Sequence, residues 1–344
     1  MGKSDVVDCD WDKNIRIGKI VMNARPPQSA EAPADIIPWL DILAAPGGGE
    51  DLLVCDAGLR TNRSGATFPI SPHGIPLFAL STLSEEADYQ QQHYDRIANA
   101  YIANLSYPHT QEYMAYLDRV LMAKIGSTSL GTVAELCCGH GEALKLSGLA
   151  FERYVGIDVS EKMLESGLTA AGDCQALFVQ GDATRVPLKD ASVDTVLMLG
   201  GVHHVPNRAA LFREIRRILR PGGRFVFREP VSDFVLWKAI RWLVYRLSPM
   251  LDHATERPLT HSETAGVLTR AGLDLTDYRT CGFLGFCLFM NSDVLIFNRL
   301  FRYVPGIRAL TRGSTVIDEA VLRIPGFGRA GLQVVGEAKP VACG

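Results

Sequence analysis

Between residues 132 and 228, short apolar runs alternate with amphipathic stretches, and few folds can accept that pattern. The runs at 133–137, 154–158, 176–179, 195–199 and 224–228 have strand length. Helical stretches separate them. Ser160 stands where an N-cap would open the helix carrying Met163 and Leu164. Asn207 does the same for the helix through Leu211, Ile215, Ile218 and Leu219, which ends at Pro221-Gly222-Gly223. Such alternation implies a parallel sheet with right-handed crossovers. Thr260-His261-Ser262-Glu263 reads as a capping box for a helix that stops at Gly272. Runs at 274–280 and 332–337 complete the sheet. The expected class is α/β: a doubly wound, seven-stranded, mostly parallel sheet. With 344 residues, 47% of them hydrophobic, the chain can bury that core and still form a smaller second unit.

The first strand runs into Glu135-Leu136-Cys137-Cys138-Gly139-His140-Gly141-Glu142. A glycine-rich turn between strand and helix lets a ligand approach the backbone and meet free N–H groups. A dinucleotide site would show G-x-G-x-x-G; here Cys137 stands at the first glycine and the third is missing, which argues against NAD. The second strand ends in Gly156-Ile157-Asp158, and an acid there can accept both ribose hydroxyls of an adenosine. The third ends in Gly181-Asp182-Ala183, whose carboxylate can accept from an adenine amino group. A lone Asp after a strand is commonly an N-cap or turn residue. Three such signals at successive strand ends point instead to a ligand.

The segments ELCCGHG, GIDVSEKML, GDATRVPLKDASVDTVLMLGGVHHV and FREIRRILRPGGRFVFREP resemble the class I S-adenosylmethionine methyltransferases, nearest to the small-molecule branch that includes the quinone-biosynthesis enzymes. The likeness covers about residues 90–230 closely and 255–340 only as fold. It implies that Glu135, Cys137, Gly139 and Gly141 line the methionine part of the cofactor, S-adenosyl-L-methionine. Asp158 would bind the ribose, with Val159 packed on the adenine. Asp182 and Ala183 would hold the adenine edge, and Leu199-Gly200 would sit by the sulfonium. Cys137 departs from the family, which has Gly there. Tyr94-Asp95-Arg96-Ile97-Ala98 and Tyr101 resemble the family's lid helix, so Tyr94 either closes over the cofactor or packs in a tyrosine stripe.

His203 and His204 follow the fourth strand, where the family places acceptor-side residues, and imidazole is the usual base near neutral pH. One is expected to act, His203 slightly ahead; the other packs or caps. Glu229 faces the acceptor side in the resembling family, or else pairs with a neighbouring arginine. His140 is expected to be a surface side chain beside the cofactor.

The N-terminal region carries a second likeness. The segments at 39–46, 66–70 and 74–77 resemble the small zinc-ribbon family that activates tRNA and protein methyltransferases. That family's four thiol positions fall here on Ala45, Gly48, Thr61 and Ser64, so no metal is expected and the unit must survive by packing on the catalytic domain. The expected division is residues 1–84 for this degenerate, β-rich unit and 85–344 for the methyltransferase domain, with cap elements near 231–258 and 282–330.

The eight cysteines include no C-x-x-C pair, Cys137 and Cys138 are adjacent, and no apolar run follows the first lysine, all fitting a reducing cytoplasm. The longest uncharged apolar stretch, 283–290, is too short to cross a membrane. From Pro206 to Ala330 there are 19 Lys and Arg against 11 Asp and Glu, a local charge of +8, which leaves −11 for the rest of a chain whose net charge is −3. Arg213, Arg216, Arg217 and Arg220 are expected to form a solvated helix face. The stretch 234–247 puts Trp237, Ile240, Val244 and Leu247 on one side and Lys238, Arg241 and Tyr245 on the other. That stripe is either core packing, an apolar acceptor tunnel or a membrane-interface helix.

The expected activity is transfer of a methyl group from S-adenosylmethionine to a small apolar or aromatic metabolite, a hydroxyl first. A lipid-like acceptor and peripheral contact with a membrane stay open, and nucleic acid is not expected, for want of a basic tail or patch. The alternatives are a non-catalytic cofactor-binding scaffold and methylation of tRNA or protein.

Overall fold

The computed structural model describes residues 35–79, 88, 106–172, 174–239, 257–290 and 296–341. Three short strands come first: β1 (Leu52–Cys55), β2 (Gly58–Thr61) and β3 (Thr67–Phe68), paired antiparallel in that order. Helix α1 (Pro108–Ile125) leads to β4 (Thr132–Leu136), β5 (Arg153–Asp158), α2 (Glu161–Ala171), β6 (Ala176–Gln180), β7 (Val193–Leu199), α3 (Arg208–Ile218) and β8 (Leu219–Pro230). Then follow α4 (His261–Arg270), β9 (Leu273–Cys281), α5 (Leu284–Phe289), α6 (Ile307–Leu322) and β10 (Gln333–Pro340).

The large sheet has seven strands in the order β6-β5-β4-β7-β8-β10-β9. Strands β4 to β8 run parallel, and β10 enters antiparallel between β8 and β9. All five residues of β4 are buried, as a central strand covered on both faces requires. After β4 the chain builds outward through β5 and β6, then returns to lay β7 on the other side. The crevice outside the carboxyl ends of β4 and β7 is therefore the topological switch point, where ligands bind in such sheets.

The caps expected at two helix starts are present. Ser160 Oγ accepts from Met163 N–H at 3.3 Å, and Asn207 Oδ1 accepts from Ala210 N–H at 3.1 Å. The capping box at Thr260 is not: its side chain makes no cap bond, and Asp233 Oδ1 takes His261 N–H at 2.8 Å instead. The arginine face of α3 also needs correction. Only Arg213 of the four is exposed. Arg217 reaches across to Glu214, Asp190 and the carbonyls of Leu188 and Val186, and Arg220 pairs with Asp194.

The small β-sheet packs on the large one. Leu43, Leu52, Leu59, Phe68 and Phe78 share one buried cluster with Val179, Val186 and Leu188. Phe78 N–H donates to Gln180 O at 3.0 Å and Gln180 N–H donates to Pro76 O at 2.9 Å, so this segment covers the open edge of β6. Of the four positions aligned with ribbon thiols, Thr61 and Ser64 hydrogen-bond to each other through their hydroxyls at 2.8 Å. Glu50 accepts the N–H groups of Arg63 and Ser64 at 3.0 and 2.9 Å. Gly48 lies so close to Arg217 that a Cβ there would sit 2.2 Å from the guanidinium. The expected boundary near residue 84 lies outside the described residues.

The cap folds over the other side. Residues 235–239 are helical, and Trp237 is buried with its indole N–H donating to Ala330 O at 2.6 Å. Its ring meets Phe283 edge-on, with centroids 5.2 Å apart. Trp237 therefore packs the core and presents nothing to solvent; Ile240, Val244 and Leu247 lie outside the described residues. Among the described residues, no helix is long and apolar enough to cross a membrane.

Candidate active site

A cleft opens where the switch point predicts. Its walls include Cys137 and Gly139 after β4, Asp158 and Val159 after β5, Asp182 and Ala183 after β6, and Leu199, Gly200 and His204 after β7. The structure thus gathers nine of the residues singled out in the sequence. Tyr94 lies outside the described residues, and Glu135, Gly141, His203 and Glu229 are not on the wall.

The glycine turn is shaped by left-handed backbone at Cys137, Gly139 and Gly141, with φ of 53°, 52° and 74°. Glycine adopts this region freely, but a side chain there costs roughly 1–2 kcal/mol, so Cys137 holds a strained position. It packs tightly on Gly201, where an added Cβ would meet the Cys137 Cβ at 2.5 Å. Burial raises the Cys137 thiol well above its ordinary pKa, helped by the charge of Asp158, so it is a neutral thiol.

Asp158 ties the turn to the next strand. Its Oδ2 accepts Gly139 N–H at 2.8 Å and its Oδ1 accepts Ser160 N–H at 2.9 Å. These bonds fix the carboxylate at the cleft wall. Asp182 Oδ1 is fixed in the same manner by the N–H and hydroxyl of Thr184, each at 2.7 Å.

Two carboxylates sit beneath the wall and not on it. Glu135 is buried, accepting Ala143 N–H at 3.1 and 3.2 Å and the Tyr154 hydroxyl. Burial pushes its pKa up to about 8. It braces the backbone just past the glycine turn, and its side chain is not among those lining the cleft. Glu229 is buried too, and burial pushes it up to about 7 against the pull of three N–H groups. Its Oε1 accepts Gly201 and Val202 N–H, both at 2.8 Å, and Oε2 accepts His203 N–H at 3.3 Å. Oε2 also lies 2.9 Å from His203 Nδ1. Glu229 therefore braces the 3-10 turn Val202–His204 from below the cleft wall. When His203 Nδ1 carries a proton, it donates to this carboxylate and holds the ring in place. Its ring lies tilted against that of His204, centroids 3.8 Å and planes 41° apart, and His204 is the one on the cleft wall.

His140 is not a surface side chain. It is buried, lines the cleft, and burial drops its pKa to about 4, so the ring is neutral; its Nδ1 has no hydrogen-bond partner among the described residues. Glu142 also lines the cleft, and Arg228 beneath it joins Glu142 and Asp118 at 3.3 and 2.6 Å. Burial raises the Glu142 pKa above the usual carboxylate range, opposed by Arg228. Sequence reasoning passed over Glu142, although its place directly after Gly141 in the turn was a signal.

These features fit S-adenosylmethionine. Gly200, φ 86°, has open space where a Cβ would project, and Gly139 meets only the end of Met163, so bare backbone faces the cleft at both. The orphaned His140 Nδ1 gives the wall an unmet polar atom, and Asp158 and Asp182 supply acceptors for hydroxyl and amino groups.

Residues 134–227 match the family described as "Methyltransferase domain". Over 107 residues the chain is 36% identical to the 27-O-demethylrifamycin SV methyltransferase of Amycolatopsis mediterranei, covering 30% of this chain and 38% of that protein. Over 140 residues it is 31% identical to the demethylmenaquinone methyltransferase of Staphylococcus haemolyticus, covering 40% of this chain and 55% of that protein. The match thus spans well under two thirds of either relative. Among solved structures, the [4+2]-cyclase SpnF superposes with a TM-score of 0.54 at 17% identity, over 74% of this chain and 97% of that one, a likeness of fold alone. The family match and these relatives agree with the strand order and the cleft, and residues 134–227 are the core of a class I, S-adenosylmethionine-dependent methyltransferase domain.

Proposed function

We propose that this protein transfers a methyl group from S-adenosylmethionine to a small apolar or aromatic acceptor, with a hydroxyl as the favoured nucleophile. The observation that carries the reading is the convergence on one cleft of Asp158, Asp182 and His204 around the bare backbone of Gly139 and Gly200. Bound there, S-adenosylmethionine supplies a methyl already activated on a sulfonium. What remains for the protein is positioning and proton removal.

In this reading Asp158 and Asp182 grip the nucleoside, and Gly139 lets it approach the turn. The His204 imidazole, at the cleft wall, takes the proton of the acceptor hydroxyl. His203 lies against it, oriented by Glu229, and fixes the ring that does so. This arrangement favours His204 over His203 as the base, reversing the order the sequence suggested. Both relatives named above are, by name, small-molecule methyltransferases, which supports an acceptor of that size.

The test is incubation with labelled S-adenosylmethionine and panels of phenols, quinols and lipid extracts, read by mass. His204→Asn should lower turnover of any acceptor found by about 10²–10⁴-fold, the usual worth of a general base, while cofactor affinity holds. Full turnover in that variant would remove His204 from the chemistry, and methylation of tRNA or protein alone would overturn the acceptor class.

A further inference from the structure

Helix α6 carries large apolar side chains on its outer side. Its inner face, through Ile307, Thr311, Thr315 and Asp318, is buried. The outer face of a helix on a water-facing surface is ordinarily polar. Here it presents Leu310, Val316 and Ile317, at 58%, 69% and 61% exposure, with exposed Ala309, Gly313 and Ala320 among them. Positions 310, 313, 317 and 320 fall on one stripe of the helix, with 309 and 316 beside it. The segment leading into α6 adds exposed Leu300, Tyr303 and Val304. Contiguous apolar surface of this kind marks an interaction site.

Charge says which kind. Arg302, Arg308, Arg312 and Arg323 are exposed on the same segment. Its two acids turn inward: Asp318 accepts from the Tyr113 hydroxyl at 2.6 Å and from Phe283 and Gly285 N–H at 2.9 and 3.0 Å. Glu319 accepts from the Tyr116 hydroxyl at 2.8 Å and pairs with Arg279 and Arg323. Glu112 offsets part of the charge, 3.9 Å from Arg308 and 3.5 Å from Arg312. Apolar side chains ringed by arginines match the boundary of an anionic bilayer, where the chains enter the interface and the guanidinium groups meet phosphate. Two copies meeting through this face would set arginine against arginine.

We propose that the outer face of α6, with the 300–304 segment, docks this protein on an anionic lipid membrane. The surface lies outside the cleft, so the proposal stands apart from the methyl-transfer reading and is tested without activity.

The full chain is sedimented with phosphatidylglycerol–phosphatidylcholine vesicles and with phosphatidylcholine vesicles, across a salt series. The expected result is binding that requires the anionic lipid and falls about tenfold or more between low and high salt. The V316E/I317E variant should lose binding at low salt by about tenfold or more, and L310E alone by less, with melting temperatures like the parent's because all three positions are exposed. No sedimentation with anionic vesicles at low salt overturns the proposal. So does binding unchanged in V316E/I317E. A dimer in analytical ultracentrifugation that V316E/I317E dissociates assigns the face to a second copy and overturns it as well.

Discussion

The cleft and the cap are held by ties of very different reach along the chain. Asp158 is fixed by N–H groups 2 and 19 residues away, and Asp182 by a threonine 2 residues on. In the cap, Trp237 bonds to a carbonyl 93 residues away, and the hydroxyls of Tyr113 and Tyr116 to carboxylates 205 and 203 residues away. Local ties belong to strand-end turns whose chemistry depends on a few adjacent residues. Distant ties exist only once the sheet has closed. It follows that damage to the first should cost ligand affinity, and damage to the second should cost stability.

The largest effect is expected in the cap. Trp237→Ala removes a buried indole and leaves Ala330 O unpaired, and should destabilise the protein by about 3–5 kcal/mol in denaturant unfolding. Affinity for S-adenosylmethionine should change by less than about twofold, since distant sites act independently. A large loss of affinity would break the division between the regions. Next comes Asp158→Ala, expected to weaken cofactor binding by about 1.5–3 kcal/mol in calorimetry, the range for hydrogen bonds to a charged group. If affinity is unchanged while the protein loses stability, Asp158 is a brace of the turn and not a ligand residue.

Glu135 sharpens the comparison through pH. Its folded pKa, about 8, lies above the ordinary 4.5. The folded state therefore holds the proton more tightly, and the resulting stability is complete below pH 4.5 and lost as pH rises through about 8. Glu135→Gln should flatten the fall in melting temperature between those values; an unchanged slope would locate the titration elsewhere. The smallest effect belongs to Cys137. With φ at 53°, Cys137→Gly should relieve strain and raise stability by about 1 kcal/mol, reduced by the lost contact with Gly201. Clear destabilisation would show that the thiol packing outweighs the backbone strain.

The same difference in reach explains what could be read from the sequence. The strand runs fall within the observed strands or overrun them by one residue, and the caps at Ser160 and Asn207 were visible because a cap and its helix are neighbours. Asp158, Asp182 and His204 reach the cleft because each follows directly on a strand of the parallel sheet or its first turn. Glu135 and Glu229 also lie at strand ends, yet point beneath the wall. A sequence pattern gives the strand end but not whether an adjacent turn will offer its N–H groups, as Gly201 to His203 do for Glu229. Arg217 read as solvated because its carbonyl partners, at Val186 and Leu188, are 31 and 29 residues away. The apolar stripe of the cap was sought around Trp237, which packs inward, whereas α6 carries an exposed one that was not sought. Periodicity finds a stripe but cannot say which helix finds a partner to cover it.

The central claim is that the cleft at the ends of β4 to β7 holds S-adenosylmethionine. Isothermal calorimetry of the full chain, titrated in parallel with S-adenosylmethionine, its demethylated product and NAD, tests it most directly. The account predicts one binding site per chain for the first two and no measurable heat from NAD, because Cys137 and the missing third glycine do not form the dinucleotide turn. Absence of S-adenosylmethionine binding, or tighter binding of NAD, would contradict it.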